Sequence, residues 1–396
     1  MQLRSVSTAD VKNKTVILRV ALDVHFRNEK GGKVIEDDTR VRSIVPSVES
    51  LASRGAKVLL MSWLQRPEGK PNPEMSLRPV GLRLAELLGK PVRFVEDCVG
   101  PAVAAAVADM KPGDVALLEN VRFHPGEAGE KVYDEAYARQ LSEHADLFVN
   151  DAFGQSHRKV ASIIGIPKFI PAYAGPELEK EVSELSRVLE TPQRPFAAII
   201  GGAKISTKLG VIKSLMEKAD NILLGGALAN TILLAQGLQV GTSLIEESMI
   251  TEAKSLNLTD TRLHIPVDVI TAQDVEAGRP VSTRAVGNVQ ANEKILDIGP
   301  DTIRLFKQVI GQAQTIVWNG PMGWFELPQF AKGTNEIAQA LAACDARTVV
   351  GGGETISSIQ QQGLGDRMTF MSMGGGAMLK FLEKGTLAGI EPLLDR

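Results

Sequence analysis

Lysines follow a pair of glycines at the point where an apolar run ends. The run 198–200 stops at Gly201-Gly202, and Lys204 and Lys208 come soon after. From Ile205 onwards, apolar residues recur at the spacing of a helix that packs one face on a sheet. Backbone N–H groups and the helix dipole at such a junction favour anions, so both ammonium groups are candidates to bind one polyphosphate. An ordinary strand-to-helix turn with solvated lysines is the alternative.

Arginines follow the predicted strands in the first half of the chain. The strand patterns at 15–20, 56–61, 115–118 and 147–150 are followed by segments that carry Arg40, Arg66, Arg122 and Arg158. Because the carboxyl ends of parallel strands meet at one edge of a sheet, we expect these guanidinium groups to converge there. Guanidinium groups bind phosphate and carboxylate in a bidentate fashion, which indicates an anionic substrate. Taken singly, each arginine is more typical of a solvated surface.

Glycine-rich segments follow the predicted strands in the second half of the chain. They lie at 201–202, 225–226, 319–323, 351–353 and 374–376. Repeated junctions of this kind let the backbone approach a ligand closely and supply several helix N-termini, which indicates a nucleotide site. Glu354, directly after one of them, is a candidate ligand for a magnesium ion that bridges phosphates. The alternative is that Glu354 only favours the start of its own helix.

Strand and helix patterns alternate along the chain and must position these groups. This alternation predicts an α/β fold with parallel sheets covered on both faces. A length of 396 residues predicts about two domains. We place the first domain at 1–171, an interdomain helix at 172–190, the second domain at 191–376, and a C-terminal helix and tail at 377–396. The apolar period between Leu178 and Leu189 indicates a helix rather than a flexible linker.

Composition argues against several classes of function. The formal net charge is −3 and the pI is near 6.1, so we expect no nucleic-acid partner and no membrane partner. Cys98 and Cys344 lack the spacing of metal ligands along the sequence, so we expect neither a disulfide framework nor a structural zinc site. The sequence shows no leader pattern and no apolar run of membrane-spanning length, so we expect a cytoplasmic protein.

Several segments together resemble the phosphoglycerate kinase family, over nearly the whole chain. They are Leu118-Glu119-Asn120-Val121-Arg122-Phe123, Asp151-Ala152-Phe153-Gly154 with His157-Arg158, Gly201-Gly202-Ala203-Lys204, and the segments 318–323, 330–334 and 374–377. The resemblance implies two Rossmann-like domains with parallel sheets, joined by an interdomain helix and a hinge. It implies reversible transfer of the γ-phosphoryl group of ATP to the carboxylate of 3-phosphoglycerate, giving an acyl phosphate as the hinge closes. It also implies a monomer that binds ATP or ADP, Mg²⁺ and a small phosphorylated carboxylate.

The resemblance further assigns roles to individual residues. The implied nucleotide ligands are Gly202, Lys204, Lys208, Asn319, Glu326, Gly353, Glu354 and Thr355, with Glu354 at the metal. The implied acceptor ligands are Asp23, Arg40, Trp63, Arg66, Arg122 and Arg158. Two of these residues are expected to be catalytic: Lys208 would follow the transferring phosphoryl group, and Arg40 would stabilise charge at the reacting carboxylate.

The acceptor site departs from the family pattern at Ala21, Asp23, His25, Trp63 and Gln65. The family typically has Asp-Leu-Asn-Val-Pro at 21–25 and Ser-His-Leu-Gly-Arg-Pro at 62–67. A carboxylate at Asp23 is repelled by an anionic substrate unless it is protonated or paired. Trp63 replaces an imidazole with an indole that has a single donor. In the nucleotide site, Glu354 replaces the usual aspartate.

Three hypotheses follow from these departures. The leading one is a phosphoglycerate-kinase-like phosphotransferase whose acceptor is 3-phosphoglycerate bound differently, or an analogue without a plain hydroxyl carbon beside the carboxylate. An amine on that carbon would pair with Asp23. The second is a non-catalytic paralogue that binds nucleotide or metabolite and has a regulatory role. The third is an ordinary glycolytic enzyme whose specificity has been redirected by deliberate substitution.

Overall fold

Two compact units make up the chain. The computed structural model describes residues 1–29, 32–128, 133–257, 259–276 and 278–395. The first unit comprises Met1–Ser183 together with Thr386–Arg396, and the second comprises Glu184–Gly385. In the described ranges, none of the helices is both long and apolar enough to cross a membrane.

A six-stranded parallel sheet forms the centre of the first unit. The strands of this unit are β1 (Thr15–Arg19), β2 (Phe26–Glu29), β3 (Gly32–Ile35), β4 (Lys57–Met61), β5 (Arg93–Val95), β6 (Val115–Leu118), β7 (Leu147–Asn150) and β8 (Ala172–Ala174). The order in the sheet is β5-β6-β4-β1-β7-β8, and β2 and β3 form a separate antiparallel pair. β1, β6 and β7 are buried along their whole length, as expected for strands covered on both faces.

Helices lie between these strands along the chain and after the last of them. They are α1 (Thr39–Ser43), α2 (Val45–Ser53), α3 (Arg78–Leu88), α4 (Pro101–Asp109), α5 (Pro125–Ala128), α6 (Glu135–Ser142) and α7 (Pro176–Glu190). The core contains Leu18 of β1, Leu60 of β4, Val48 of α2 and Leu84 of α3. The division between the units falls inside α7, and Thr386–Arg396 group with the first unit. The sequence analysis assigned 377–396 to a C-terminal helix and tail.

The second unit contains a parallel sheet and a smaller antiparallel one. Its strands are β9 (Phe196–Ile200), β10 (Asn221–Leu224), β11 (Leu263–His264), β12 (Asp268–Ala272), β13 (Ser282–Ala285), β14 (Lys294–Ile298), β15 (Thr315–Asn319), β16 (Arg347–Gly351) and β17 (Phe370–Ser372). The six-stranded parallel sheet has the order β11-β10-β9-β15-β16-β17, and the three-stranded sheet has the order β13-β12-β14. The antiparallel sheet is an element that the sequence analysis did not foresee.

Helices follow most strands of the second unit. They are α8 (Leu209–Met216), α9 (Ala227–Ala235), α10 (Ile250–Lys254), α11 (Pro300–Gln312), α12 (Lys332–Ala343), α13 (Gly353–Gln361) and α14 (Gly376–Lys384). Trp318 of β15, Phe306 of α11 and Ile337 of α12 lie in its core. The predicted α/β class with parallel sheets is confirmed. In open parallel sheets, ligands generally bind outside the carboxyl ends of the strands.

Candidate active site

At the carboxyl edge of the first sheet, the residues after β1 contact those after β4. The two strands are neighbours and parallel, so their following segments meet. The backbone N–H of Gln65 donates to Oδ1 of Asp23 at 2.9 Å, and Arg40 Nη1 donates to the carbonyl of Asp23 at 2.8 Å. Gln65 has φ 55°, in the region that favours the glycine typical of the family. The carboxylate of Asp23 is therefore paired with a backbone donor, which reduces its repulsion of an anion.

The indole of Trp63 lies between two guanidinium groups. The Cζ atoms of Arg19 and Arg122 are 4.3 Å and 4.0 Å from its ring centroid. Such desolvated cation–π contacts contribute roughly 2 kcal/mol. Trp63 is only 2% exposed, so it offers a ligand almost no surface. Its burial favours a role in positioning Arg122 over direct contact with the substrate.

Arg19 and Glu127 are both buried and are linked through Ser162. Arg19 Nε donates to Ser162 Oγ at 3.0 Å, and both oxygens of Glu127 accept from Ser162. Burial raises the pKa of Glu127, and the charge of Arg19 opposes that shift. The sequence analysis missed both residues. The available signal was the charge of Arg19 at the end of an otherwise apolar strand.

Arg122 is the centre of a group of positive charges. It is 8% exposed, and its Nη1 donates to the carbonyl of Gln65 at 2.6 Å. Burial, then the charge of Arg158 and more weakly that of Arg66, lower its pKa, while Asp23 and Glu127 raise it. Like charges held this close are stabilised by an anion placed among them. The structure thus brings Arg122, Arg158 and Arg66 near one another, three of the four arginines that the sequence analysis expected to converge.

The remaining acceptor residues differ in their access to solvent. Arg40 and Arg158 are half-buried, and Arg66 is exposed. Ala21 is half-buried and His25 is exposed. A ligand that reaches Arg122 therefore has guanidinium groups available from segments after several strands.

In the second unit, the segment after β9 is a turn rather than the start of a helix. The helix that the sequence analysis began at Ile205 begins instead at Leu209. The reason is long-range pairing of the backbone. The N–H of Gly202 donates to the carbonyl of Pro321 at 2.8 Å, and the carbonyl of Gly202 accepts from Leu228 N–H at 3.0 Å. These contacts fix the position of Gly202 in the segment that precedes α8.

Lys208 ends this turn with its ammonium group buried. Nζ donates to the carbonyl oxygens of Gly201 and Asn319 at 2.5 Å and 3.1 Å, and the residue is 8% exposed. Burial lowers the pKa of Lys208 to about 8, and the charge of Glu354 opposes the shift. The ammonium group is therefore held at the ends of β9 and β15, where a phosphate bound at the turn would meet it.

Lys204 differs from Lys208 in burial and surroundings. It is exposed, and the structure places its charge beside Glu246. The carboxylate of Glu246 accepts from the backbone N–H and the hydroxyl of Ser206 at 2.9 Å and 2.6 Å. The two lysines of the motif are thus not equivalent. Only Lys208 has a buried ammonium group.

Glycine at position 320 is required by close packing around Lys208. Gly320 has φ 96°, and a Cβ there would collide with the carbonyl of Gly201 and with Nζ of Lys208. Any larger residue would displace the lysine or the backbone that holds it. Gly320 therefore allows the turns after β9 and β15 to approach each other.

A cavity of about 530 Å³ opens beside this turn. Its polar wall includes Gly202, Glu326 and Glu354, and its apolar wall includes Leu244, Val269, Leu296 and Trp324. A cavity of this size with one apolar side suits a nucleoside. The sequence analysis missed the apolar wall, because its residues come from distant segments, including β12 and β14 of the unforeseen sheet.

The other predicted nucleotide ligands lie at the start of α13 and the end of β15. Glu354 is exposed in the first turn of α13, directly after Gly353. Thr355 is fully buried, and its hydroxyl accepts the N–H of Gly320 at 2.8 Å. Nδ2 of the buried Asn319 has no hydrogen-bond partner within the ranges that the structure describes. A buried donor of this kind is stabilised by a ligand atom that accepts from it.

The Glu354 carboxylate suits magnesium. Mg²⁺ prefers oxygen ligands and in nucleotide sites is held by one or two carboxylates together with phosphates. Glu354 and Gly202 both line the cavity. The residues present therefore fit a magnesium-nucleotide.

Comparisons with known proteins show to which family the chain belongs. A sequence model of the family described as "Phosphoglycerate kinase" matches residues 6–385. The chain is 46% identical over 400 residues to the "Phosphoglycerate kinase" of Pelotomaculum thermopropionicum, covering 100% of both chains. It is 45% identical to that of Desulfosudis oleivorans, over 99% of this chain and 98% of the relative. The solved "Structure of phosphoglycerate kinase from Coxiella burnetii" is 37% identical, with a TM-score of 0.87, covering 99% of this chain and 98% of that one. The chain therefore belongs to the phosphoglycerate kinase family.

Proposed function

We propose that this protein transfers the γ-phosphoryl group of magnesium-ATP to the carboxylate of 3-phosphoglycerate or a close phosphorylated analogue. Its family consists of ATP-dependent kinases that act on a carboxyl group. The observation that carries the acceptor assignment is the group of guanidiniums around Arg122, with Arg66 and Arg158 near enough to affect its pKa. Such a group suits the dianionic phosphate of the acceptor.

The nucleotide would occupy the cavity beside Gly202. Its base would contact the apolar wall that includes Trp324, and its phosphates would meet the turn that ends at Lys208. Glu354 would hold the magnesium ion, which neutralises charge on the phosphates when bound. The ammonium of Lys208 would stabilise the charge of the transferring phosphoryl group from a position with little solvent.

The acceptor's carboxylate would lie near Arg40. The contact between Arg40 Nη1 and the carbonyl of Asp23 fixes this guanidinium at the end of β1. Ala21 offers no side-chain acceptor to a hydroxyl on the neighbouring carbon, where the family's aspartate binds one. Asp23 supplies a carboxylate instead, and only its Oδ1 pairs with Gln65. We therefore infer that an amine on that carbon binds better than a hydroxyl.

The test is ADP release from magnesium-ATP, coupled to reductive removal of the acyl phosphate so that an unfavourable equilibrium does not hide turnover. The acceptors compared are 3-phosphoglycerate, the matched amine O-phosphoserine, and 3-phosphopropionate, which lacks both groups. We expect turnover, with kcat/KM higher for the amine than for the hydroxyl. Turnover of 3-phosphoglycerate alone would keep the kinase assignment and overturn the amine preference.

A matched variant separates the two parts of this proposal. Asp23→Asn removes the negative charge and retains an oxygen that accepts the N–H of Gln65. We expect this variant to lose the preference for O-phosphoserine by about tenfold, the effect of one charge-assisted hydrogen bond. ATP binding without turnover of any acceptor would overturn the enzyme assignment and favour the non-catalytic paralogue.

A further inference from the structure

A cluster of potential metal ligands lies at the ends of β5 and β6, apart from the residues assigned above. Asp97 and Cys98 follow β5, and His124 follows β6. The strands are neighbours and parallel, so these segments meet at the edge of the sheet. One ligand atom from each of the three residues lies within 4.8 Å of the others.

We propose that Asp97, Cys98 and His124 bind a divalent cation of the zinc type. A thiolate, an imidazole and a carboxylate are the ligands that Zn²⁺ takes in proteins, with a water molecule completing a tetrahedral site. Mg²⁺ prefers oxygen ligands alone, so this site differs in chemistry from the one at Glu354.

Tyr137 contacts two residues of the cluster, His124 and Cys98. Its ring stacks on His124 with centroids 5.2 Å apart and an interplanar angle of 26°. Its hydroxyl lies 3.1 Å from Sγ of Cys98 and donates to the carbonyl of Val121 at 2.9 Å. Contacts of this kind fix the orientation of ligands around a metal. The imidazole and the sulfur are therefore held in place before any cation binds.

The cluster is open to solvent on one side. Cys98 is buried, whereas the side chains of His124 and Asp97 are 32% and 44% exposed. His124 Nε2 lies 2.7 Å from Oδ1 of Asp97, and the cation would replace this direct contact. The Cys98 thiol lies within the cluster and would lose its proton as the cation binds. The S–H bond breaks, a sulfur–metal bond forms and the proton passes to water.

A bound cation would tie together the segments that follow two strands. One of them also carries Arg122, which precedes His124 by two residues. Binding would therefore stabilise the segment that presents Arg122. The spacing of cysteines along the sequence gave no sign of this site, because its ligands come from separate strand ends.

The experiment measures zinc binding to the full-length protein after removal of metals with a chelator. Zn²⁺ is titrated in excess Mg²⁺, and retained metal is quantified by mass spectrometry. We expect one tightly bound equivalent in the wild type. His124→Ala should weaken binding by at least about tenfold, as loss of a coordinating group does. Cys344→Ser, which removes the cysteine outside the cluster, should leave binding unchanged.

Substitution of Co²⁺ for Zn²⁺ tests the sulfur ligand separately. The wild type and Cys344→Ser should show a thiolate-to-cobalt charge-transfer band, and Cys98→Ser should lack it. If circular dichroism shows that Cys98→Ser does not fold, His124→Ala and Asp97→Asn test the proposed site instead. Both of these side chains are partly exposed, so their replacement should not disturb the fold. Absence of stoichiometric zinc in the wild type would overturn the proposal. Unchanged binding in His124→Ala, or equal loss in Cys344→Ser, would also overturn it.

Discussion

The candidate nucleotide residues and the candidate acceptor residues make different kinds of contact. The nucleotide half in the second unit relies on backbone: glycine turns, helix starts and one buried lysine, Lys208, held by main-chain carbonyls. The acceptor half in the first unit relies on side chains, with Trp63 stacked between Arg19 and Arg122. A backbone site depends on shape that single substitutions rarely change without loss of the fold, whereas a side-chain site changes residue by residue. The departures from the family pattern that the sequence analysis expects fall mostly in the acceptor half, where side chains make the contacts.

The largest effect is expected at the nucleotide half. Lys208→Met removes a buried ammonium group that contacts the ends of β9 and β15. We expect kcat to fall by about 10²- to 10³-fold, the usual cost of removing a donor that stabilises transition-state charge. Steady-state kinetics with saturating acceptor measures the loss, and circular dichroism checks that the variant folds.

Lys204→Met is the matched control for this substitution. It removes an equal charge from an exposed position in the same turn. We expect a fall in kcat at least about tenfold smaller than that of Lys208→Met, because an exposed charge is screened by solvent. Equal losses in the two variants would contradict the distinction between a buried and an exposed lysine.

In the acceptor half, Arg122→Ala should raise KM for the acceptor. The guanidinium contacts the carbonyl of Gln65 and the face of Trp63, and lies among the other arginines. Hydrogen bonds to charged groups contribute about 1.5–3 kcal/mol, so we expect KM for the acceptor to rise about 10- to 100-fold. KM for ATP should stay within about twofold, because Arg122 belongs to the first unit.

Arg139→Ala provides the comparison for this prediction. Arg139 also stacks on an aromatic ring, that of Phe169 at 4.5 Å, in the same unit. It lies outside the acceptor cluster, so its loss should leave both KM values unchanged. A rise in KM for ATP in Arg122→Ala would show that the variant disturbs more than acceptor binding.

Much of the fold could be predicted from the sequence because parallel strands are continuous apolar runs. The predictions at 115–118 and 147–150 match β6 and β7, and both strands are fully buried. The convergence of arginines could be predicted for a related reason: the ends of neighbouring parallel strands lie together. Local pattern and sheet geometry were sufficient for these features.

Features that depend on distant segments could not be predicted. The predicted start of α8 was too early in the sequence. The preceding segment is positioned by hydrogen bonds of Gly202 with the distant Pro321 and Leu228, which no local pattern indicates. The apolar wall of the cavity was missed because Val269 and Leu296 belong to an antiparallel sheet without a clear local signature. The burial of Trp63 was missed because no spacing in the sequence relates it to Arg19.

The pH profile of kcat/KM for ATP should fall on its alkaline side, where Lys208 loses its proton. Its pKa in the folded protein is about 8, below the ordinary 10.5, because burial disfavours the charge. Above pH 8 the free enzyme loses this charge, so kcat/KM for ATP should fall by about tenfold per pH unit. Between about pH 8 and 10.5 the unfolded chain binds the extra proton, so the free energy of unfolding should rise with pH.

Lys208→Arg keeps a positive charge throughout this range. Its kcat/KM for ATP, although reduced, should show no limb near pH 8. Measurement of both enzymes from neutral to alkaline pH checks the assignment. The same limb in the two proteins would show that another group titrates.

The smallest effect is expected from Gln65→Gly, which restores the residue typical of the family. Gln65 has φ 55°, a conformation that costs a residue with a side chain about 1–2 kcal/mol. Glycine relieves this strain but adds entropy to the unfolded chain, so we expect a net gain of about 0.5–1 kcal/mol in the free energy of unfolding. Chemical denaturation measures it.

The same variant shows whether the side chain of Gln65 contributes to acceptor binding. Its contacts with Asp23 and Arg122 both use backbone atoms, N–H in the first case and the carbonyl in the second. Glycine keeps these contacts, so KM for the acceptor should change by less than about twofold. Asp23→Ala breaks the first contact and leaves Gln65 in place, and should raise KM more than Gln65→Gly does. A larger rise in Gln65→Gly would mean that the glutamine side chain itself binds the acceptor.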